Sequence, residues 1–340
     1  MNDGSLKTLF HPFDAGLLEA PGEAARVFFL NAAPGFRLPE GFPGAISLQQ
    51  DLRPAFRALE GGAHALQPQA DGENYDLTLV LAGRHRGQNE LWIAEALKRT
   101  RIGGRIVIAG GKTDGAASLR KRMASLLAVE DHASKSHGVV FWLIRTPDAD
   151  AAVEALEAAN PPLILDGGFL TVPGVFSQAH VDAGSKLLAD NLPSDIRGEV
   201  ADFGAGWGYL SVRLAQRAPS VTALTLFESS FSACVAAKAN MTNLAAHLEC
   251  RVLWYDLLAE PVERRYDAVI MNPPFHQGRA AEPSLGEAMI RAASAALKPS
   301  GRLYLVSNRT LPYEPVLANA FARSGEIIRD EKFKVLWAVR

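Results

Sequence analysis

Seven consecutive residues, Asp202-Phe-Gly-Ala-Gly-Trp-Gly208, set a carboxylate ahead of three glycines at alternate positions. Gly204, Gly206 and Gly208 carry no Cβ, so the backbone can turn sharply there and come close to a ligand. The run follows a β-rich stretch, residues 199–203, and precedes a stretch of helical apolar spacing, residues 209–218. A dinucleotide-binding turn needs its third glycine where this chain has Tyr209. An acid before the first glycine suits a ligand bearing an ammonium group rather than a pyrophosphate. Glu228 ends the next β-rich run, 26 residues after Asp202. Taken alone, the glycine cluster is equally a structural turn. The Gly-Lys-Thr at 111–113 is no phosphate loop, because Ile106 stands where its first glycine is required.

A second constellation, Asn272, Pro273, Pro274 and Phe275, follows the β-rich run 266–271. An Asn amide oxygen and a backbone carbonyl can accept the two N–H bonds of a planar exocyclic amine and steady the positive charge it acquires on attack. Two prolines stiffen such a loop, and an aromatic ring can stack on an extruded base. An Asn-Pro turn after a strand is also common.

The glycine spacing resembles the first motif of class I S-adenosylmethionine-dependent methyltransferases. That resemblance implies that Asp202, Gly204, Gly206 and Gly208 bind the cofactor with Glu228 on its ribose hydroxyls, Asp256 on the adenine side and Asn272 beside them. A narrower resemblance rests on four segments in order: Gly174-Val-Phe-Ser177, Asp182-Ala-Gly-Ser-Lys-Leu-Leu188, the glycine motif, and Asn272-Pro-Pro-Phe-His276. Together they are similar to the bacterial ribosomal RNA guanine-N2 methyltransferases, methyltransferase C of the small subunit and methyltransferase G of the large. Gln178-Ala-His180 departs from the more charged stretch common in that family.

The resemblance implies methylation of the N2 amine of a guanine in ribosomal RNA, with small-subunit 16S RNA favoured over large. It places Phe176 and Ser177 in the cofactor and base pocket, and His276 either on RNA or buttressing the loop. S-adenosylmethionine supplies the electrophile, so no metal is expected. An adenine-N6 or glutamine-N5 methyltransferase, a non-catalytic RNA-binding protein and a nicotinamide oxidoreductase are the competing readings. Intact glycines, the complete Asn272 loop and the wrong dinucleotide spacing weigh against the last two.

The elements that position these residues alternate between β-rich and helical runs through residues 199–307, which indicates a parallel sheet covered by helices. The first half repeats the pattern. Tyr75-Asp-Leu-Thr-Leu-Val-Leu81 echoes Tyr266-Asp-Ala-Val-Ile-Met271, and Gly104-Arg-Ile-Val-Ile108 echoes Gly301-Arg-Leu-Tyr-Leu305. The expected fold is therefore α/β: tandem class I, Rossmann-like methyltransferase domains, the N-terminal one degenerate. Residues 26–35 replace the glycine cluster there, and Ala82-Gly-Arg-His85 replaces the Asn272 loop. Expected boundaries are 1–147, a helical linker at 148–168, and a catalytic domain at 169–340.

Composition agrees with two packed domains. The chain has 340 residues, 48% of them hydrophobic and 21% charged, enough apolar surface to exclude disorder. No apolar run approaches the 18 or so residues of a membrane span, and the N-terminus shows no secretory pattern. Two cysteines, Cys234 and Cys250, make neither a metal motif nor a disulfide framework, which fits a cytoplasmic protein. A net charge of −2 excludes a wholly basic coat. Residues 84–145 nevertheless hold twelve Lys or Arg against five Asp or Glu. Arg120, Lys121 and Arg122 lie there, either as phosphate contacts or as solvated surface. Ribosomal RNA, a subunit or an assembly intermediate is the expected partner of a monomeric enzyme.

Overall fold

Residues such as Val27-Phe-Phe-Leu30 and Val200-Ala-Asp-Phe203 are buried on both faces, as strands of a parallel sheet must be when helices cover each side. In the computed structural model, which describes residues 3–274, 276–277, 280–281 and 283–340, each half of the chain builds one such sheet. The chain divides into two compact units, Met1–Pro161 and Pro162–Arg340.

The first unit runs α1 (Asp3–Asp14), β1 (Val27–Leu30), β2 (Ser47–Gln49), α2 (Arg53–Leu59), β3 (Ala65–Gln67), β4 (Tyr75–Leu81), α3 (Arg86–Arg99), β5 (Thr100–Gly111), α4 (Ala116–Ala124), β6 (Asp131–Lys135), β7 (Gly138–Ile144) and α5 (Ala149–Ala158). Its strands lie in the order β3-β2-β1-β4-β5-β7-β6. Strands β1 to β5 pair in parallel, and β7 runs antiparallel to both neighbours. Phe28 and Leu30 face one core and Phe29 the other, the alternation that a strand imposes. The helix expected as part of a linker is α5. It buries Ala152, Val153 and Leu156 in the first core, so it belongs to the first unit, and the division falls after it at Pro161. Helix α1, which no sequence motif marked, buries Leu9 and Phe10 on the other face.

The second unit opens with the hairpin β8 (Leu163–Leu165) and β9 (Phe169–Thr171). It continues α6 (Ala183–Asn191), β10 (Gly198–Phe203), α7 (Tyr209–Arg217), β11 (Val221–Glu228), α8 (Phe231–Leu244), β12 (Glu249–Trp254) and β13 (Tyr266–Met271). After the short pair β14 (His276–Gln277) and β15 (Ala280–Ala281) come α9 (Pro283–Ala296), β16 (Leu297–Asn308), α10 (Glu314–Ala320), β17 (Arg323–Arg329) and β18 (Phe333–Val339). The sheet order, β12-β11-β10-β13-β16-β18-β17, repeats that of the first unit strand for strand.

The duplication holds at the level of register. Phe28 pairs with Ser47 and Thr78, as Ala201 pairs with Thr225 and Val269. Both copies share one register shift, between Tyr75 and Leu77 and between Tyr266 and Ala268. The pairing then aligns Arg105 with Arg302 and Trp142 with Trp337. It also moves one sequence alignment by a residue. Leu30 pairs with Val80 as Phe203 pairs with Met271, so Leu81, and not Ala82, is the counterpart of Asn272.

Candidate active site

Neighbours β11 and β13 flank β10 on opposite sides, so the chain leaves the sheet in opposite directions from its centre. A crevice at the carboxyl ends of such strands is where open α/β sheets bind ligands. Here the ends of β10, β11 and β13 bring the glycine loop, Glu228 and Asn272 to one edge. Gly204, Gly206, Tyr209, Phe176, Ser177 and Asn272 are among the residues that line the resulting cleft.

The glycine loop takes a conformation that side chains resist. Gly204, Gly206 and Gly208 have φ of +74°, +54° and +86°. A Cβ at Gly206 would meet no protein atom within 4 Å, so that glycine faces open space where a ligand can approach. The loop is pinned from below. Gly204 and Ala205 donate to the Phe227 carbonyl at 2.9 and 3.1 Å.

Glu228, half-buried, ties this loop to the next helix. Its Oε2 accepts the Gly206 N–H at 2.8 Å, and its Oε1 accepts the Ser230 N–H at 2.7 Å. Burial raises its carboxyl above the ordinary range, and those backbone bonds work the other way. Oε1 also accepts the Ser229 hydroxyl at 3.3 Å, so Oε2 is the oxygen that retains a lone pair for a further donor.

Asp202 sits differently from its expected place. It is wholly buried beneath the loop, where Oδ2 accepts the Ser211 hydroxyl at 2.7 Å and Oδ1 has no partner among the described residues. Desolvation pushes its carboxyl up to about 7. Asp256 is also buried, and its Oδ1 accepts the Leu258 N–H at 3.1 Å in its own turn. Neither carboxylate is among the residues lining the cleft, and Glu228 and Gly208 are not among them either.

Asn272 stands at the end of β13, with Pro273 buried behind it and Pro274 exposed. Its Nδ2 donates to Asp182 Oδ2 at 2.9 Å and to Ser185 Oγ at 2.8 Å. Those two bonds use both amide hydrogens and leave the oxygen as the chemically available end. Asp182 is the N-cap of α6 and also accepts the Ser185 N–H at 2.8 Å. Phe275 lies outside the described residues, and His276 begins β14.

Phe176 is 60% exposed at the cleft, an unusual position for a large apolar ring. Its carbonyl accepts the Trp207 indole N–H at 2.9 Å, and Ser177 beside it has φ of +54°. A further residue, unmarked in the sequence, holds this region together. Buried Asn240 on α8 donates to the carbonyls of Trp207 and Leu170 at 2.8 and 2.9 Å and accepts the Leu170 N–H at 2.7 Å. It joins the glycine loop to β9. Asp182, Ser185 and Asn240 escape sequence reasoning because their partners lie 90, 87 and up to 70 residues away.

Arg120, Lys121 and Arg122 lie on α4 of the first unit. Lys121 is exposed, and the buried Nε atoms of Arg120 and Arg122 have no partner among the described residues. In that unit the register counterparts of the site are closed with side chains. Asn31, at the Gly204 position, has φ of +54° and donates to the Leu81 carbonyl at 2.7 Å. Gln50, at the Glu228 position, donates to the Ala32 carbonyl at 2.7 Å. Among the described residues no cluster of His, Cys, Asp and Glu is arranged to hold a metal, and no helix is long and apolar enough to cross a membrane.

Residues 166–337 match the family model of the methyltransferase small domain. The ribosomal RNA small subunit methyltransferase C of Yersinia pseudotuberculosis is 30% identical over 259 residues, 75% of this chain and 72% of that one. Its namesake from Shewanella halifaxensis is 28% identical over 270 residues, 77% of each chain. A solved structure, the T. thermophilus 16S rRNA N2 G1207 methyltransferase in complex with AdoMet and guanosine, is similar with a TM-score of 0.76. It is 27% identical and covers 93% of this chain and 88% of that one.

Proposed function

Because the chain belongs to the methyltransferase small-domain family and groups there with the small-subunit methyltransferases C, we propose that it methylates the N2 amine of a guanine in 16S ribosomal RNA. The observation that carries this reading is Asn272, anchored through both amide hydrogens at the edge of the glycine cleft with its oxygen available. The relative solved with AdoMet and guanosine supports the choice of cofactor and base.

The residues present fit S-adenosylmethionine. Gly206 opens onto space that a Cβ would occupy, and Glu228 Oε2 keeps a lone pair for a hydroxyl while holding the loop. Asp202 supplies a buried, unpartnered oxygen beneath the same loop, which favours a cationic neighbour without touching the cleft directly. When bound, the cofactor supplies a methyl group activated by a sulfonium. Asn272 Oδ1 would accept one N–H of the guanine amine, turning its lone pair toward the methyl and stabilising the nitrogen as it becomes positive. Phe176, exposed at the cleft, would stack on the extruded base. The sealed first unit would serve RNA binding or support, with α4 as its basic element.

The test is methylation of small-subunit RNA, free and assembled, followed by nucleoside mass spectrometry. N2-methylguanosine is the expected product. A product methylated on adenine, or none on either substrate, contradicts the reading.

A further inference from the structure

An Asn side chain has two ends of nearly equal size and opposite chemistry, and only its oxygen can accept a hydrogen bond from an amine. A 180° flip of Asn272 would therefore turn a catalytic acceptor into a competing donor. We propose that Asp182 and Ser185 are positioning residues that fix which end of the Asn272 amide faces the reacting amine. This inference rests on the guanine-methylation reading.

Donor and acceptor counts at Asn272 distinguish the two amide orientations. An ionised Asp182 can only accept, and its Oδ2 takes one Nδ2 hydrogen at 2.9 Å while Ser185 Oγ takes the other at 2.8 Å. In the flipped amide, Asn272 Oδ1 would face the carboxylate acceptor to acceptor, and only the Ser185 hydroxyl could turn to donate to it. Asp182 is itself held in place, because the same Oδ2 accepts the Ser185 N–H at 2.8 Å as the N-cap of α6. Ser185 is buried, so water is a poor competitor for its hydroxyl. A carboxylate on the Nδ2 side also polarises the amide, strengthening Oδ1 as an acceptor. The negative charge thus lies one amide away from the nitrogen that turns positive.

The decisive experiment is a double-mutant cycle on the full chain, read by single-turnover N2-methylguanosine formation and by S-adenosylhomocysteine affinity. Asp182→Ser suits it, since Ser caps helices as well as Asp but its hydroxyl can also donate to a flipped Oδ1, so α6 is preserved while the acceptor-only property is lost. The expected result is a rate lower by about 10- to 100-fold with S-adenosylhomocysteine affinity changed by less than about twofold, the signature of an interaction used in the transition state. In an Asn272→Ala background, Asp182→Ser should change the rate by less than about twofold, because its target is gone. Ser185→Ala keeps the backbone cap bond and should show the same non-additivity at smaller size, so it carries the test if Asp182→Ser does not fold. A loss of similar size in both backgrounds, or a wild-type rate in Asp182→Ser, overturns the positioning role alone. A wild-type protein that binds S-adenosylhomocysteine and forms no N2-methylguanosine overturns the functional reading and this inference with it.

Discussion

Glu228 and Gln50 occupy the same register position in the two sheets, and each accepts the backbone N–H two residues further on, at 2.7 Å from Ser230 and 2.8 Å from Leu52. Their other ends do opposite things. Glu228 Oε2 accepts the N–H of Gly206, whereas Gln50 Nε2 donates to the carbonyl of Ala32. A carboxylate leaves a lone pair for a ligand, while the amide, fully buried, spends its donor on sealing the loop. Exchanging one acid for one amide thus accompanies the change from open cleft to closed core.

That difference makes Gln50→Glu costly. The new carboxylate would face the Ala32 carbonyl with no donor between them, in a site without solvent. A loss on the order of 2–4 kcal/mol is expected, measurable as an earlier denaturant transition of the first unit. An unchanged transition would mean that the sealed loop relaxes freely.

Asp202 gives stability a pH dependence. Its carboxyl is pushed from 3.8 to about 7, mainly by burial and further by the charge of Glu228, against the Ser211 hydrogen bond. The folded state therefore holds this proton more tightly than the unfolded chain. The protein is most favoured, as far as this group is concerned, below pH 3.8, and loses stability as pH rises toward about 7. Thermal melts of wild type and Asp202→Asn across pH 4–8 isolate the effect as a difference. Parallel curves would show that Asp202 ionises in the folded protein as it does in water.

The α4 cluster is tested by salt. If Arg120, Lys121 and Arg122 meet phosphate, their joint change to Ala should weaken RNA binding and flatten its dependence on salt. The slope should fall by about 0.7–0.9 for each phosphate that is no longer neutralised. Cofactor affinity should stay constant, because the cleft belongs to the second unit. An unaltered salt slope returns these residues to solvated surface.

The catalytic half is largely legible in the sequence because its signals are local. Gly204, Gly206 and Gly208 each need a positive φ in one turn, and Asn272-Pro-Pro follows a strand whose apolar run is unmistakable. The duplication shows in Tyr75 with Tyr266 and Gly104 with Gly301, since both copies keep the same strand starts and the same register shift. Contacts distant in sequence are not legible. Asp182 and Ser185 belong to a motif that suggests no chemistry by itself, because it does not reveal that Asn272 lies across from it. Asp202 and Asp256 illustrate the converse. An acid after a strand can bind a ligand or satisfy its own surroundings, and only burial and partners distinguish the two.

The central claim is that Asn272 acts on the amine and not on the cofactor or the fold, and single-turnover methylation of small-subunit RNA by Asn272→Ala tests it most directly. Losing one preorganised acceptor of this kind costs about 10²–10³ in rate. On one sample, that fall in N2-methylguanosine formation is expected together with near wild-type S-adenosylhomocysteine affinity and melting temperature. A folded, cofactor-binding variant that methylates at the wild-type rate would contradict it.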